Sequence, residues 1–362
     1  MTKHSNVANQ LKTELMSGSY EIGDKLQGEN DLSERFGVSR QTIRQALGTL
    51  EREGLLERRH GSGTYVKAVR MPKAVDAKTI CVMTTYIDDY IFPSIISGID
   101  KVLSAAGYEI SLKLTRNKSA TERANLLSIK NSNICGLIVE GSKTALPNLN
   151  IDLYRELGPI PILFINSYYR QMNPDRLNYI VVDDKSGASK AVRHLVENGH
   201  RKINGIFKID DMQGHERFHG FMSAVYKENL ICDESNVLWY STEDCAQMFS
   251  AQNAQELSDK LGDCTAVVCY NDEIAVSLIR SLRTLGKEVP GDISIVSFDN
   301  STLAAMSHPG LTTIAHPGAE LGKEAARSIL KLISEPSNQI QYTFDAELII
   351  RDSVKNILSS SS

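Results

Sequence analysis

Residues 29–66 read ENDLSERFGVSRQTIRQALGTLEREGLLERRHGSGTYV, and this stretch predicts two short helices, a tight turn between them and a β-hairpin. Gly37 stands where the first helix would end in the left-handed conformation, which glycine adopts at little cost. Ser39 is expected to cap the second helix. The second helix has a core-facing apolar stripe, because apolar residues recur three, four and seven positions apart at Ile43, Ala46, Leu47 and Leu50.

The opposite face of that helix carries long donor-rich side chains near its start, at Arg40, Gln41 and Arg44. Such side chains suit phosphates and base edges, although exposed charges on a helix are more often only solvated. After Gly54, strands at 55–59 and 64–66 are predicted around a turn at 60–63. The whole pattern is that of a winged helix-turn-helix, which predicts DNA binding.

The same residues carry a resemblance to a family. The spacing E-x-x-L-x-x-x-F-x-V-S-R-x-T-I-R-x-A-L, followed by G-L-L and a G-x-G-T-x-V wing, resembles the GntR family of bacterial transcription regulators. The family usually has Pro-Ser before the glutamate, whereas this chain has Gln27 and Gly28. The resemblance implies DNA contacts at the matched positions Glu29, Asn30, Ser39, Arg40, Thr42, Arg44, His60 and Gly61.

Composition bounds the class of protein. The chain has 362 residues, enough for two or three domains, and it is 41% hydrophobic and 23% charged, as ordinary globular proteins are. The net charge is −4, but residues 1–70 carry 11 Lys and Arg against 9 Asp and Glu (+2), and the remainder carries 29 against 35 (−6). The DNA prediction therefore rests on where the basic residues stand and not on bulk charge.

Cysteines and apolar runs indicate the compartment. The six cysteines form no C-x-x-C pair, and several stand in apolar strand-like runs, so we expect them to be reduced and structural. No apolar run approaches the roughly 18 residues of a membrane helix, and the first 20 residues lack a signal core. We therefore expect a soluble cytoplasmic protein with no membrane partner.

The chain divides by its pattern into three parts: a winged helix domain at 1–67 with a first helix at 7–16, a linker at 68–78, and an α/β domain at 79–362. Strand and helix patterns alternate in the last part, which predicts parallel sheets covered on both faces. Nine strands are too many for one comfortable sheet, so two lobes with a cleft between them are expected. The strands are predicted at 80–84, 109–114, 136–140, 161–166, 179–183, 203–207, 237–239, 266–270 and 293–298.

Polar side chains stand where these strands end. Carboxylates and amides bind vicinal hydroxyls in pairs and aromatic rings stack on sugar faces, so their convergence on a cleft predicts a sugar-like site. For any single residue, capping of the following helix explains the position equally well. These residues include Phe92, Glu140, Lys143, Asn166, Asp183, Asp184, Asn271, Asp299 and His316.

A second resemblance covers residues 79–352. The segments R-x-x-G-F at 217–221, C-Y-N-D-E-I-A at 269–275 and D-I-S-I-V-S-F-D-N at 292–300 resemble the effector domain of the lac/gal-repressor family, which is similar to periplasmic sugar-binding proteins. The resemblance implies a two-lobed fold with ligand contacts at Asp89, Phe92, Glu140, Asn166, Arg217, Asn271, Asp299 and His316, where the family often has glutamine at the last position.

By these two resemblances, the chain joins a GntR-type DNA-binding domain, called the reader below, to a sugar-binding effector domain, called the sensor. This combination resembles the arabinose-responsive repressors of Gram-positive bacteria. The resemblance implies L-arabinose as the effector, operator DNA as the partner, and neither a cofactor nor catalysis. We expect a homodimer whose two readers meet a near-palindromic operator. Residue chemistry alone leaves another pentose, a hexose or a nucleoside open. A sugar-binding protein without a DNA-binding role is the alternative from another class.

One motif points elsewhere. Residues 215–219 read HERFH, a formal H-E-x-x-H, which on a helix would offer two imidazoles to zinc with Glu216 as general base. A third ligand at the usual spacing is missing, and Arg217, Gly220 and Phe221 already belong to the sugar-domain pattern. We therefore predict no metal site.

Overall fold

A computed structural model of the chain describes residues 3–16, 20, 23–52, 54–59, 62–67, 78–87, 91–230 and 237–358. The chain forms two compact units, Met1–Ala77 and Lys78–Ser362. Of the predicted linker at 68–78, all but Lys78 lies outside the described residues.

The first unit is a small helical core with a two-stranded wing. Its elements are α1 (Lys3–Met16), α2 (Glu29–Phe36), α3 (Arg40–Arg52), β1 (Leu56–Arg59) and β2 (Gly63–Val66). The wing strands pair antiparallel, with Leu56 opposite Val66. The expected start of α1 at residue 7 was wrong. The helix begins four residues earlier, so Lys3 and Asn6 are part of it.

Apolar periodicity decides how the first unit packs. The stripe of α3 is completely buried at Ile43 and Leu50, and it packs with Leu11 of α1 and Leu32 of α2 in one cluster. Gly37 ends α2 with a φ of 61°, the left-handed conformation that the sequence predicts. Burial of such side chains, each worth about 1.5–3 kcal/mol, fixes α3 with its opposite face towards solvent.

The second unit has two lobes, each built on a six-stranded sheet. The first lobe has strand order β13-β7-β6-β5-β3-β4 and is parallel throughout. Its elements are β3 (Thr79–Thr84), α4 (Phe92–Ala105), β4 (Glu109–Leu114), α5 (Ser119–Lys130), β5 (Gly136–Val139), α6 (Ile151–Glu156), β6 (Ile162–Ile165), β7 (Asn178–Val182), and later α13 (Gly318–Ser334) and β13 (Gln341–Phe344).

The second lobe has strand order β14-β12-β11-β10-β8-β9, and β14 is its antiparallel strand. Its elements are α7 (Asp184–Glu197), β8 (Ile203–Lys208), α8 (Met212–Lys227), β9 (Val237–Tyr240), α9 (Cys245–Met248), α10 (Ala254–Leu261), β10 (Ala266–Cys269), α11 (Asp272–Thr284), β11 (Ser294–Asp299), α12 (Thr302–Met306), β12 (Thr312–Ala315) and β14 (Glu347–Ile349).

The chain crosses between the lobes three times: after β7, after β12 and after β13. The carboxyl ends of the parallel strands in both lobes face the space between them, which is where ligands bind in open α/β sheets. The sequence therefore predicted the two-lobed parallel architecture correctly.

All nine predicted strands are present, and each end lies within one residue of its predicted position. The described residues add three strands that the sequence analysis missed: β12, β13 and β14. β13 and β14 are short edge strands with half-buried or exposed side chains, so their sequences lack the apolar run by which the central strands are recognised.

Close backbone packing positions the start of α4 at the cleft. Helices α4 and α13 touch along their backbones, because a Cβ on Gly98 would overlap the carbonyl oxygen of Ala319, and one on Gly322 would overlap that of Ile95. This contact fixes the first turn of α4, which begins at Phe92.

None of the helices in the described part of the chain is both long and apolar enough to cross a bilayer.

Candidate functional site

The start of α3 carries an exposed polar surface. Arg40, Gln41 and Arg44 are exposed, while Ile43 between them is fully buried. The Ser39 hydroxyl accepts from the backbone N–H of Thr42 at 3.3 Å, and the two hydroxyls lie 2.9 Å apart. Ser39 therefore caps α3 as predicted.

The first turn of α2 lies beside this surface. The Arg44 guanidinium donates to the Glu29 carboxylate at 2.6 Å, and Asn30 is exposed next to it. The predicted DNA-contacting residues of both helices therefore form one surface, in which Arg44 is oriented by Glu29.

The wing stands after α3. The Arg59 guanidinium lies over the Tyr65 ring, 4.5 Å from its centroid, and pairs with Glu57 at 2.6 Å. His60 and Gly61, the predicted contacts at the wing tip, lie outside the described residues.

A cavity of about 270 Å³ opens between the two lobes of the second unit. It is called the cleft below. Four of the predicted effector contacts line it together: Phe92 and Glu140 from the first lobe, Asn271 and Asp299 from the second. The remaining lining is polar and aromatic, with Thr85, Tyr86, Ile91, Lys208, Asp211, Gln213, Tyr240, Thr242, Cys245, Tyr270, Glu273 and Ile274.

Glu140 is held rigidly in the cleft wall. Its carboxylate accepts from the backbone N–H of Thr85 at 3.0 Å, from the Thr85 hydroxyl at 2.5 Å and from the Asn166 amide at 2.8 Å. Burial raises the pKa of Glu140, while these hydrogen bonds oppose the rise. A fixed carboxylate of this kind is suited to accept hydrogen bonds from ligand hydroxyls.

Asn166 and His316 stand one layer behind Glu140. The His316 Nε2 lies 3.1 Å from the Asn166 Oδ1, and since the Asn166 amide nitrogen donates to Glu140, His316 donates through Nε2–H. Its Nδ1 is then an acceptor, and that atom is buried without a partner among the described residues. Burial lowers the pKa of His316 to about 4, so the imidazole is neutral near pH 7.

Arg217 of α8 links Asp299, which lines the cleft, to Asp184 at the start of α7. Its guanidinium donates to Asp184 at 2.7 Å, to Asp299 at 3.2 Å and to the Tyr270 carbonyl at 2.5 Å. Burial would lower the pKa of Arg217, but the two carboxylates raise it well above its ordinary value. Burial also raises the pKa of Asp184 to about 6, against the effect of Arg217.

Two of these residues have strained backbones. Asn166 has a φ of 64° and Asp299 a φ of 98°. Side-chain-bearing residues rarely adopt such values, which cost on the order of 1–3 kcal/mol and cluster at functional sites. The strain supports a binding role for this region.

The capping interpretation of strand-end residues is also correct in part. Asn271 accepts from the backbone N–H of Ile274 at 3.0 Å and so caps α11, while it also lines the cleft. Asp183 caps α7 through the N–H of Ser186 at 2.9 Å and lies outside the cleft lining.

Of the nine predicted effector contacts, four are not part of the cleft lining: Lys143, Asn166, Arg217 and His316. Asp89 lies outside the described residues, so its contact stays a prediction. The Lys143 ammonium lies between the lobes, where it pairs with Glu243 at 2.5 Å and with Asp210 at 3.7 Å, and it is not part of the lining. It contributes to contact between the lobes, together with the Asn117 amide, which donates to the Thr242 hydroxyl at 2.7 Å.

Two of the H-E-x-x-H residues, His215 and Glu216, are engaged in other contacts. His215 lies 2.8 Å from the Ile209 carbonyl through Nε2 and packs on Trp239, with ring centroids 5.3 Å apart. Glu216 pairs with Arg170 across the lobes and with Lys185 at 3.3 Å. Across the described part of the chain, no three His, Cys, Asp or Glu side chains are arranged to hold a metal ion.

Sequence reasoning missed several lining residues, and a signal for some of them existed. Lys208 and Asp211 follow the predicted strand at 203–207, so the strand-end rule applied there would have found them. Burial lowers the pKa of Lys208, but Asp211 and Asp210 raise it by more. The Tyr270 hydroxyl donates to Asp211 at 2.6 Å, which places a second polar cluster opposite Glu140.

Comparison with known proteins agrees with the two kinds of domain in the chain. Residues 3–66 match the bacterial regulatory proteins of the gntR family, and residues 192–354 match the periplasmic binding protein-like domain. The chain is 36% identical to the arabinose metabolism transcriptional repressor of Geobacillus stearothermophilus over 99% of both chains. The chain belongs to the arabinose metabolism transcriptional repressors. A relative of the same name from Halalkalibacterium halodurans is 33% identical over 97% of this chain and 96% of its own.

Solved structures share the fold of these repressors. A complex of the transcriptional regulator CelR with cellobiose has a TM-score of 0.68 at 21% identity and covers 87% of this chain and 91% of that one. A LacI family regulator from Enterococcus faecium with bound ribose has a TM-score of 0.64 at 24% identity, covering 77% and 99%. As an arabinose metabolism repressor, the protein is a sugar-responsive DNA-binding repressor and not an enzyme.

Proposed function

We propose that the effector is L-arabinose and that it binds in the cleft. The observation that carries this proposal is the cleft itself, in which Glu140, Asn271 and Asp299 converge with aromatic rings in a chain related over its whole length to arabinose repressors. Carboxylates and amides accept from and donate to neighbouring hydroxyls, and Phe92 offers an apolar surface to the sugar carbons.

The proposed reader comprises residues 1–67, joined through 68–78 to the sensor at 79–362. Two copies of the chain form a homodimer, so that two readers meet two operator half-sites. In each reader Arg40 and Arg44 enter the major groove, with Gln41 and Thr42 beside them. His60 and Gly61 approach the minor groove or the backbone from the wing.

Release follows from closure of the lobes around the sugar. The sugar contacts residues of both lobes only when they are close together, so it binds the closed form more tightly and shifts the population towards it. Closure changes the contacts between the two subunits of the dimer. The spacing of the two readers then no longer matches the spacing of the operator half-sites, and the affinity for the operator falls.

The effector is tested by calorimetric titration of the full chain with L-arabinose, D-xylose, D-ribose, D-galactose and a pyrimidine nucleoside. We expect L-arabinose to bind at least tenfold more tightly than the others. Tighter binding of another member of the panel would assign the cleft to that ligand instead.

The reader is tested by Arg40→Ala in a gel shift with the promoter region of the protein's own locus. Loss of one bidentate base contact costs about 1–3 kcal/mol, which is roughly a 5- to 150-fold loss of affinity. Arg52→Ala is the matched control, because Arg52 stands at the other end of α3 and bonds to its own helix at Gly48 and Thr49. L-Arabinose affinity must persist in both variants, since loss of both functions would indicate misfolding.

A further inference from the structure

Gln213, in the first turn of α8, lines two cavities. One is the cleft of about 270 Å³, and beside it lies a second cavity of about 320 Å³, called the outer cavity below. Gln213 is the one described residue that lines both. Its side chain is buried, with 7% of its surface exposed.

The outer cavity has the chemistry of a carbohydrate subsite. Tyr168 and Tyr179 stack in its wall, with ring centroids 4.6 Å apart and an angle of 26°. Its two cations, Arg170 and Lys185, both pair with Glu216. Asp183 also lines it, so two carboxylates balance the two cations, while the charge of Asp184 is neutralised by Arg217 behind the wall. This balance disfavours a phosphate and favours a neutral hydroxylated ligand.

The side chains between the two cavities differ in the lengths of their hydrogen bonds. Asn166 lines the outer cavity and donates at 2.8 Å to Glu140 of the cleft. Asp184 lines the outer cavity and accepts at 2.7 Å from Arg217, which reaches Asp299 of the cleft. The Gln213 amide, in contrast, donates to Asp184 at 3.5 Å, a length at which a hydrogen bond contributes little. Of these three side-chain contacts, the one made by Gln213 is the longest.

We propose that Gln213 restricts the effector to one sugar ring, and that shortening it opens the outer cavity as a second carbohydrate subsite for a linked sugar. The cleft alone lies below the roughly 300–1,000 Å³ of most ligand pockets, so it suits a single ring. This inference rests on the proposed function and adds the size limit of the effector to it.

The test compares wild type and Gln213→Ala in calorimetric titrations with L-arabinose and with a disaccharide of two L-arabinose units. We expect wild type to bind the disaccharide at least a hundredfold more weakly than L-arabinose. In Gln213→Ala we expect disaccharide affinity to rise at least tenfold, while L-arabinose affinity falls severalfold because one cleft contact is lost. An unchanged ratio of the two affinities would overturn the proposal, as would equal affinities in wild type.

A double variant tests the outer cavity separately. Adding Tyr168→Ala to Gln213→Ala removes the aromatic wall, so the gain in disaccharide affinity must disappear while L-arabinose affinity stays at the level of the single variant. Persistence of the gain would show that the second ring lies elsewhere. Gln255→Ala, an exposed glutamine of α10, is the matched control and must keep the wild-type ratio.

Two controls distinguish a failure of this proposal from misfolding of a variant and from a wrong effector. The Trp239 fluorescence melting curve of each variant is recorded, and Gln213→Ser replaces the alanine variant if that variant melts early. If wild type binds another monosaccharide of the panel in place of L-arabinose, the proposed effector is wrong. The same ratio, measured with that sugar and its disaccharide, then decides the role of Gln213.

Discussion

Arg217 stabilises a buried arrangement of charges in the second unit. Its guanidinium neutralises Asp184 and Asp299, lies 4.8 Å from the Tyr270 ring centroid and 4.3 Å from that of Phe298, and is 2% exposed. Removing one partner of a buried ion pair leaves an uncompensated charge in a medium of low dielectric constant.

Replacement of Arg217 by leucine therefore destabilises the sensor. We expect Arg217→Leu to lower the free energy of unfolding by about 3–5 kcal/mol, measured by denaturant titration of the fluorescence of Trp239, the one tryptophan of the chain. Arg193→Leu, an exposed arginine of α7, is the control and should change the free energy by less than about 0.5 kcal/mol. Equal effects of the two substitutions would refute the assigned role.

His316 makes the stability of the sensor depend on pH. Its pKa is about 4 in the folded chain, because it is buried, against an ordinary value of 6.5. Between these values the unfolded chain binds more protons at this position, so the stability contributed by neutral His316 is present near pH 7 and is lost as the pH falls towards 4.

His316→Gln removes this titration and can keep the hydrogen bond to Asn166. The stability of wild type relative to His316→Gln is expected to fall by about 2–3 kcal/mol between pH 7 and pH 4.5, measured by the same unfolding titration at each pH. A difference that stays constant over this range would mean that His316 is not buried in its neutral form.

At the scale of elements, contacts between the loops after the strands hold the lobes together. Lys143 follows β5 and pairs with Glu243, which follows β9 of the other lobe. Nearby, the backbone N–H of Met212 donates to the Thr144 hydroxyl at 3.0 Å across the same boundary. These contacts exist only when the lobes are close, so they favour the form that binds sugar more tightly.

Lys143→Met is therefore expected to weaken sugar binding without touching the sugar. A partly exposed ion pair contributes about 0.5–1 kcal/mol, so the dissociation constant for L-arabinose should rise about two- to fivefold in calorimetry. The control is Lys260→Met, since Lys260 pairs with Glu256 inside α10 and within one lobe. In 1 M salt the difference between the two variants should shrink. A larger effect from Lys260 than from Lys143 would contradict this account of the interlobe contact.

The sequence predicted features within one segment well. It predicted poorly which strand-end residues line the cleft and which lie behind the lining. Gly37, Ser39 and the stripe of α3 depend on spacing along one segment, so their roles could be inferred directly. Strand ends were found because apolar runs stop there. Whether a strand-end side chain would line the cleft, as Glu140 does, or lie behind it, as His316 does, depends on packing between segments 150 residues or more apart. No local pattern records that packing.

Lys143 illustrates the same limit. It was predicted as an effector contact because it follows a strand, but its partner Glu243 stands 100 residues later and belongs to the other lobe. Lys208 and Asp211 follow the strand predicted at 203–207, so the same rule applies to them.

At the scale of the whole molecule, two kinds of site lie on two compact units of opposite net charge. Residues 1–77 carry 12 Lys and Arg against 10 Asp and Glu (+2), and residues 78–362 carry 28 against 34 (−6). The first unit carries the polar surface of α2 and α3, and the second carries the cleft. The repressor responds to sugar only if binding at one unit changes affinity at the other, which requires a coupling free energy between the two sites.

That coupling is reciprocal, and its measurement tests the central claim most directly. The affinity of the full chain for operator DNA is measured with and without saturating L-arabinose, and its affinity for L-arabinose is measured with and without saturating operator. The account predicts that sugar lowers operator affinity and that operator lowers sugar affinity by the same factor, of about 5- to 150-fold for a coupling of typical size. Tight L-arabinose binding that is unchanged by saturating operator would contradict the account.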